Sequence, residues 1–145
     1  MIIRPFQPQD TDELMQVWHR SVKATHHFLS QQDIDFYFAE IRDKYLSAMD
    51  IYVAVDSAKQ ISGFIGWTPQ HIEMLFVDSR CFRQGIGKQL LEFALSQHPK
   101  LSIDVNEQNP SALAFYLAQG FVVKGRNELD SCGHPFPIIH LARRD

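Results

Sequence analysis

The chain has 145 residues, of which 14 are Lys or Arg and 17 are Asp or Glu, and its net charge is −3 with a pI of about 6.1. This length suits one domain with a sizeable core and is short for two, so we predict a single domain over residues 1–145. An acidic chain without a basic stripe excludes a nucleic-acid surface, and the lack of a signal peptide or a membrane-length apolar run predicts a cytoplasmic protein that does not bind membranes.

The two cysteines, Cys81 and Cys132, give no indication of a metal site. They form no CxxC motif, and the residues around them lack the spacing of zinc ligands. We therefore expect no metal and reduced thiols.

The first fifty residues predict a strand followed by two helices. Acidic residues follow Asp10 in what would be the first turn of a helix, where the helix dipole favours them. Apolar residues then recur at helical spacing in two successive segments. The predicted elements are a strand at Ile2–Phe6, a helix from an Asp10 or Thr11 N-cap to about Thr25, and a helix from Ser30 to Tyr45.

The hydrophobic pattern changes at Ile51. Ile51–Val55 is a β-branched run and Ile61–Trp67 is another, so the polar residues between them predict a hairpin. Pro69 ends the second of these strands before a third strand at about Ile72–Val77.

The rest of the chain alternates helices and strands. The strand–helix–strand unit from Ile72 to Val105 predicts a parallel, right-handed crossover. The chain is therefore predicted to be an α/β domain with a mixed sheet of about six to seven strands and about four helices. The later elements are a helix at Gly87–Gln97, a strand at Leu101–Val105, a helix at Ser111–Gln119, and strands at Phe121–Arg126 and Pro137–Leu141 around a turn at Asp130–Gly133.

The glycine turn at Gly85 and Gly87 lies between a predicted strand and a predicted helix. Glycines there let backbone N–H groups approach a ligand closely, and a helix N-terminus favours an anion such as phosphate. Two glycines alone are weak evidence, because turns use them for conformational reasons. No third glycine completes a dinucleotide fingerprint and no Gly-Lys-Ser/Thr completes a P-loop.

Further motifs accompany this turn, and together they resemble the acetyl-CoA-binding core of the GNAT N-acetyltransferase superfamily, in particular its YjaB-like bacterial branch. The order of elements along the whole chain also agrees with that fold. The motifs are Val77-Asp78, Gly85-Ile86-Gly87-Lys88, Val105-Asn106-Glu107-Gln108-Asn109, Phe115-Tyr116 with Gly120-Phe121, Ser21-Val22-x-Ala24-Thr25-His26-x-Phe28-Leu29, and Gly133-x-Pro135-x-Pro137.

The resemblance implies a GNAT acyl-CoA N-acyltransferase fold, acetyl-CoA as the acyl donor, and direct transfer of acetyl to an amine. At one position the chain departs from the family, because Phe82 stands where the loop usually has Arg or Gln three residues before the first glycine. Backbone amides hold a pyrophosphate whatever the side chain is, so we expect binding to persist. The residues expected at the donor are Leu75, Phe76, Val77, Phe82, Arg83, Gln84, Gly85, Ile86, Gly87, Lys88, Asn106, Asn109 and Tyr116.

The resemblance also indicates which residues carry the chemistry. Tyr116 is the expected general acid for the departing thiolate, because a phenol and a thiol have similar pKa values. Its neighbour Phe115 is expected to pack in the core. Glu73 is the expected base for the amine, with His71 as a second candidate on the same strand face if that strand is regular. Asn109 before Pro110 also has a purely structural explanation as an N-cap.

The acceptor is expected between the first helices, the hairpin and the last strands. An aromatic wall with one acid suits an amine-bearing acceptor, either a protein lysine or a small molecule. The sequence is also compatible with an acyl-CoA-binding sensor without catalysis, with a nucleotide-binding protein, and with a homodimer rather than a monomer. The acceptor residues predicted are Phe28, His27, Trp67 and His71.

Overall fold

A computed structural model describes residues 1–143, and within that range it has seven strands and four α-helices. No helix in this range is long and apolar enough to cross a membrane. The elements are β1 (Ile2–Pro5), α1 (Thr11–Thr25), α2 (Gln31–Glu40), β2 (Asp50–Val55), β3 (Ile61–Thr68), β4 (His71–Val77), α3 (Ile86–Gln97), β5 (Ser102–Asn106), α4 (Pro110–Ala118), β6 (Phe121–Asn127) and β7 (Ile138–Arg143).

The strands form one mixed sheet in the order β1-β2-β3-β4-β5-β7-β6. All neighbouring pairs are antiparallel except β4 and β5, which are parallel and joined through α3. The predicted mixed sheet, the hairpin between β2 and β3, and the parallel crossover are therefore confirmed.

The helices begin where local chemistry satisfies their free N–H groups. Ser30 caps α2, because its hydroxyl accepts from the Asp33 N–H at 3.1 Å while the Asp33 carboxylate accepts from the Ser30 N–H at 3.0 Å. The second helix was predicted to reach Tyr45, and it does so with a change of geometry: α2 ends at Glu40 and a π-helical turn covers Ile41–Tyr45.

A hydrophobic core lies on each face of the sheet. Alternate residues of a strand point to opposite faces, so Phe64 joins one core while Ile65 joins the other. The first core holds the apolar stripes of α1 and α2, and the second holds those of α3 and α4. Both cores also hold strand residues, so the sheet is buried on both faces.

The strands β4 and β5 separate soon after they meet. Of the seven residues of β4, only His71 and Ile72 pair with β5, opposite Ser102 and Ile103. The rest of β4 faces a gap on that side, which opens the sheet into a cleft.

A β-bulge at Glu73 corrects one expectation from the sequence. Gly66 lies opposite Met74 and Trp67 lies opposite Ile72, so Glu73 is an extra residue on β4. The expectation that His71 and Glu73 share a strand face required a regular strand, and the bulge removes that basis. Beyond it, Met74 packs in the α1/α2 core and Leu75 against the α3/α4 core.

Candidate active site

A cleft of about 760 Å³ lies where β4 and β5 diverge. It brings together residues that are far apart in sequence, from both helical layers and from the last two strands. Seven of the residues predicted for the donor, the chemistry or the acceptor line it: His71, Glu73, Leu75, Phe76, Asn106, Asn109 and Tyr116. The turn at residues 82–88 and Val77 are not among the lining residues.

The β5-facing edge of β4 presents backbone donors to the cleft. The Asp78 N–H donates to the Ser62 carbonyl on the β3 side at 2.8 Å. Because backbone N–H groups alternate between the two sides of a strand, the Phe76 N–H also points to β3, while those of Leu75 and Val77 point toward β5. Of the three β4 residues predicted at the donor, Leu75 and Val77 therefore have backbone N–H groups on the side of β5.

The glycine turn leaves backbone N–H groups free at the start of α3. Gly85 is the N-cap in the left-handed conformation, with φ +79°. The first helical bond runs from the Gln89 N–H to the Gly85 carbonyl, so the N–H groups of Ile86, Gly87 and Lys88 have no intrahelical partner. These groups and the helix dipole suit a pyrophosphate.

The side chains of this turn are mostly exposed. Phe82, at the position where the family usually has a polar residue, is 37% exposed and contributes to neither core. Arg83 is the one non-glycine residue of the turn with a positive φ, at +64°. Arg83, Gln84 and Lys88 are also exposed.

A buried carboxylate fixes the base of this turn. Asp78 is fully buried, and it accepts from Arg20 of α1 at 2.7 Å and from Arg80 at 2.9 Å. It also accepts from the Arg80 N–H and thereby caps the short helix Ser79–Cys81. Burial alone raises the pKa of Asp78, but the hydrogen bonds from the two arginines outweigh it and hold the pKa far below the usual range.

Tyr116 lies on α4 and lines the cleft with only 5% of its surface exposed. Its ring packs edge-on against Phe115 at 5.0 Å and against Phe121 at 5.7 Å. Burial raises the pKa of the Tyr116 phenol above its ordinary value, so the hydroxyl keeps its proton at neutral pH. A protonated phenol on the cleft wall can act as a proton donor.

Two asparagines lie between β5 and α4. Asn109 caps α4 with Pro110 in the first turn, and its side-chain oxygen accepts from the Ala112 N–H at 3.4 Å and from the Ser111 hydroxyl at 3.0 Å. The predicted structural role of Asn109 is confirmed. Asn106 lines the cleft beside it, and its carbonyl accepts from the Asn109 N–H.

Of the four predicted acceptor residues, only His71 lines the cleft. His27 is exposed outside it, and Phe28 packs against the rings of His26 and Phe136. Trp67 is buried in the α3/α4 core, stacked on Tyr52 at 5.3 Å. Trp67 Nε1 has no hydrogen-bond partner within residues 1–143.

His26 lies at the end of α1 and lines the cleft. Its Nδ1 pairs with the Thr25 hydroxyl at 2.7 Å, and its ring packs on Phe28 and Phe76. Burial, with a smaller contribution from His27, lowers the pKa of His26 to about 4, so this imidazole is neutral in the cleft.

A contact between α2 and the segment before β7 was missed from the sequence. We call this contact, formed by Tyr37, Asp130 and His134, the roof of the cleft. The Tyr37 hydroxyl of α2 donates to Asp130, in the segment between β6 and β7, and pairs with His134 Nδ1 at 2.9 Å. Asp130 also accepts from the N–H groups of Cys132 and His134. Tyr37 and Asp130 are 93 positions apart, and no local pattern marks their contact.

A second missed group joins three strands. Asp104 of β5 pairs with His140 of β7 at 2.6 Å and lies 3.3 Å from His71 Nε2 of β4, and His71 Nδ1 pairs with the Ser102 hydroxyl at 2.6 Å. All three titratable residues line the cleft. Asp104 could have been suspected as a charged residue between the buried Ile103 and Val105.

Comparison with known proteins places this site in a family. Residues 7–136 match the acetyltransferase (GNAT) domain. The chain is 41% identical to the peptidyl-lysine N-acetyltransferase YjaB of Escherichia coli K12, over 97% of this chain and 95% of that protein. It is 29% identical to the peptidyl-lysine N-acetyltransferase YiaC of the same strain, over 83% of this chain and 82% of that protein.

The fold agrees with these matches. The solution structure of apo YjaB from Escherichia coli superposes with a TM-score of 0.90 at 40% identity, covering 98% of this chain and 97% of that one. The PaiA N-acetyltransferase from Thermoplasma acidophilum, solved in complex with coenzyme A, superposes with a TM-score of 0.76 at 22% identity, over 96% of each chain. This second likeness concerns the fold alone.

Proposed function

The chain belongs to the GNAT acetyltransferase family, and from that premise we propose that it transfers the acetyl group of acetyl-CoA directly to a primary amine, with a protein lysine as the favoured acceptor. The observation that carries the proposal is the cleft between the diverging β4 and β5, which joins a free strand edge to the buried phenol of Tyr116.

The preference for a lysine has two supports. Two relatives that align over most of the chain, YjaB and YiaC, are named peptidyl-lysine N-acetyltransferases. In addition, the described lining of the cleft contains three carboxylates, Glu73, Asp104 and Asp130, and neither Lys nor Arg. A cleft of this charge attracts a cationic amine and disfavours an anionic acceptor.

Backbone groups bind the donor in this proposal. The N–H groups at the start of α3 hold the pyrophosphate, and Gly85 and Gly87 allow the close approach. The edge of β4 at Leu75 and Val77 pairs with the amides of the pantetheine arm as an added strand would. One of these N–H groups also stabilises the oxygen that becomes negative during attack, an interaction worth about 3 kcal/mol.

Tyr116 donates its phenolic proton to the departing thiolate. The amine nitrogen forms a bond to the thioester carbon, the carbon–sulfur bond breaks, and sulfur leaves with the electron pair. The proton that the nitrogen loses as the amide forms passes to the tyrosinate and restores the phenol, so the net reaction converts amine and thioester to amide and thiol. Burial raises the pKa of Tyr116, which keeps the phenol protonated before the reaction. The same shift makes the phenol a weaker acid, so the transfer depends on the negative charge that develops on the sulfur beside it.

Glu73 accepts the proton that the ammonium form of the acceptor loses before attack, directly or through water. Its side chain is exposed at the bulge of β4 and lines the cleft, with the Thr68 hydroxyl donating to it at 3.1 Å. A bulge often aims a side chain into a site, which is the use proposed for it here. Asn106 and Asn109 complete the donor side where β5 meets α4, and His71 lies on the acceptor side.

Two measurements test the proposal. Calorimetry with acetyl-CoA, CoA and ATP should show binding of the first two ligands and none of ATP. Mass spectrometry of reactions with acetyl-CoA should show acetylation of lysine-containing peptides at a higher kcat/KM than that of free lysine, spermidine or an aminoglycoside.

Each competing function has its own signature. A preference for ATP would contradict the family's chemistry in this chain. Tight acetyl-CoA binding without transfer to any amine would indicate a sensor module, and faster acetylation of a small amine would indicate a small-molecule enzyme.

A further inference from the structure

The three residues His71, Asp104 and His140 meet at the vertex of the cleft. They come from β4, β5 and β7, three adjacent strands, at the point where the pairing of β4 with β5 ends. Asp104 Oδ1 lies 2.6 Å from His140 Nδ1, and Asp104 Oδ2 lies 3.3 Å from His71 Nε2. The Asp104 side chain is 38% exposed, so an incoming ligand can reach it.

The other two carboxylates of the cleft have different partners. Asp130 accepts from the Tyr37 hydroxyl and from two backbone N–H groups, and these donors keep their protons across the neutral range. Glu73 accepts from the Thr68 hydroxyl alone. Asp104 therefore differs from both, because each of its oxygens faces an imidazole.

The protonation of the two histidines sets the charge at the vertex. With both imidazoles protonated the cluster carries +1, and with both neutral it carries −1. A hydrogen bond with Asp104 raises the pKa of His71, and Glu73 adds to this effect. Burial alone raises the pKa of Asp104, but hydrogen bonds from His71 and His140 lower it, so the carboxylate stays charged throughout the neutral range.

No other charged group in the described part of the chain contacts the two imidazoles. His71 faces Asp104 and Ser102 of β5 and lies near Glu73 on its own strand. His140 faces Asp104 on one side and the Asn127 side chain of β6 on the other. Neutral groups therefore complete the surroundings, and the competition for Asp104 involves the two histidines.

We propose that Asp104 binds the ammonium group of the acceptor, and that His71 and His140, when protonated, compete with the acceptor for this carboxylate. The inference rests on the proposed function, because it names the residue that receives the amine at the same site. The inference goes beyond the proposed function because the acceptor affinity then depends on the protonation of His71 and His140. Asp104 is thus a binding residue, and the two histidines regulate its availability.

The sign of the pH dependence follows from this competition. A lysine ammonium stays protonated below about pH 9, so its own charge does not change between pH 6 and pH 8. Under this proposal a rise in pH removes the competing imidazolium protons, so the acceptor binds more tightly at the higher pH. Each competing proton changes the affinity by at most about tenfold per pH unit.

The most direct test uses the reciprocity of linked equilibria. If the ammonium and the imidazolium compete, then bound acceptor must lower the pKa of His71 and His140. We would follow the histidine ring signals by NMR during pH titrations of the CoA-bound protein, with and without saturating Nα-acetyl-lysine amide. We expect both histidine pKa values to fall on binding, while that of His98, outside the cleft at the end of α3, stays constant.

Two sets of variants give opposite results. In Asp104→Asn the affinity for Nα-acetyl-lysine amide should be weak and independent of pH. In the double variant His71→Gln with His140→Gln it should be as high at pH 6 as at pH 8, because the carboxylate stays available. His98→Gln is the matched control and should keep the wild-type pH profile.

The outcomes separate this inference from the proposed function. Unchanged histidine pKa values with saturating amine, or a wild-type pH profile in Asp104→Asn, would overturn the role of Asp104 even if lysine is acetylated normally. Failure to transfer acetyl while the histidine pKa values still respond to the amine would instead contradict the enzymatic proposal. If Asp104→Asn misfolds, the double variant provides the test. A lower affinity for Nα-acetyl-lysine amide at pH 6 than at pH 8 in that variant would contradict competition by the two histidines.

Discussion

The donor side and the acceptor side of the cleft are built in different ways. The donor side uses one continuous segment from Leu75 to Phe121, in which the free edge of β4 and the first N–H groups of α3 are backbone features. The acceptor side is made of side chains from α1, α2 and the last three strands. Its contacts join distant positions, such as Asp104 with His140, 36 residues apart, and Tyr37 with Asp130, 93 residues apart.

The two sides therefore respond differently to substitution. A backbone N–H donor persists when its side chain changes, so an exposed Phe82 can stand in a turn proposed to bind phosphate without altering the helix N-terminus. A side-chain constellation changes its chemistry with a single substitution. We expect the donor to be a shared property of such chains and the acceptor to be specific to each.

Tyr116→Phe should have the largest effect on activity and tests the one donor-side role that needs a side chain. The variant keeps the ring that packs on Phe121 and removes only the proton donor. We expect kcat to fall by roughly 10²–10⁴-fold with the Kd of acetyl-CoA unchanged, measured by steady-state kinetics and calorimetry. A kcat within a few-fold of wild type would remove Tyr116 as the acid and leave the donor side entirely to the backbone.

Asp78→Asn tests whether the donor turn depends on its buried anchor. The change leaves Arg20 and Arg80 without their carboxylate, and we expect a loss of about 3 kcal/mol in the free energy of unfolding. Urea denaturation measures this loss. Asp43→Asn is the matched control, since the pair of Asp43 with Arg42 is exposed and its loss should change the stability little.

The pH dependence of the same variant has a defined sign. The folded pKa of Asp78 is lowered, so its contribution is complete above the ordinary carboxyl pKa of 3.8 and declines as the pH falls below that value. The stability difference between wild type and Asp78→Asn should therefore narrow below about pH 4. A constant difference down to pH 3 would contradict the role of the Asp78 charge.

Features set by local sequence could be predicted, whereas contacts between distant positions could not. Hydrophobic periodicity predicted the order of all strands and helices within residues 1–143, and the cap signals at Ser30 and Asn109 fixed two helix starts. The bulge at Glu73 was not predictable, because it depends on how β4 pairs with β3 and not on any turn residue. Its consequence for His71 was missed with it.

The acceptor residues were largely beyond sequence analysis. Trp67 and His27 illustrate why: an aromatic residue near the end of a strand can face either core, and adjacent histidines at a helix end point in different directions. Trp67 faces the core under α3, and His26 rather than His27 enters the cleft. Pairing such residues requires the register of the sheet, which the local pattern does not contain.

Gly87→Ala and Gly85→Ala separate ligand approach from backbone strain. A Cβ at Gly87 would meet Val77 at 3.6 Å and Phe115 at 3.8 Å, which are ordinary contacts, so the fold should tolerate alanine. If the CoA pyrophosphate approaches this backbone, the affinity for CoA should fall about tenfold through one lost hydrogen bond to a charged group. Calorimetry checks the affinity, and thermal unfolding checks the fold.

The comparison with Gly85 gives the control for the glycine turn. Alanine there enters a left-handed conformation at φ +79° with open space around its Cβ, so it should cost about 1 kcal/mol of stability. A loss of CoA affinity in Gly85→Ala with none in Gly87→Ala would mean that the turn acts through its shape and not through close approach of the ligand.

Tyr37→Phe should give the smallest effect and sharpens the comparison from the acceptor side. The variant keeps the aromatic contacts of the ring with Phe136 and His134 but removes the donor to Asp130, at a cost of about 1 kcal/mol. Tyr37 and Asp130 of the roof line the part of the cleft in which we propose that the acceptor binds. The KM of the amine should therefore rise by at most about fivefold, while the Kd of acetyl-CoA stays constant. Steady-state kinetics with each substrate varied in turn measures both effects. An equal change in the two constants would mean that the donor and acceptor sides are coupled through α2, since the roof touches none of the backbone groups proposed to bind the donor.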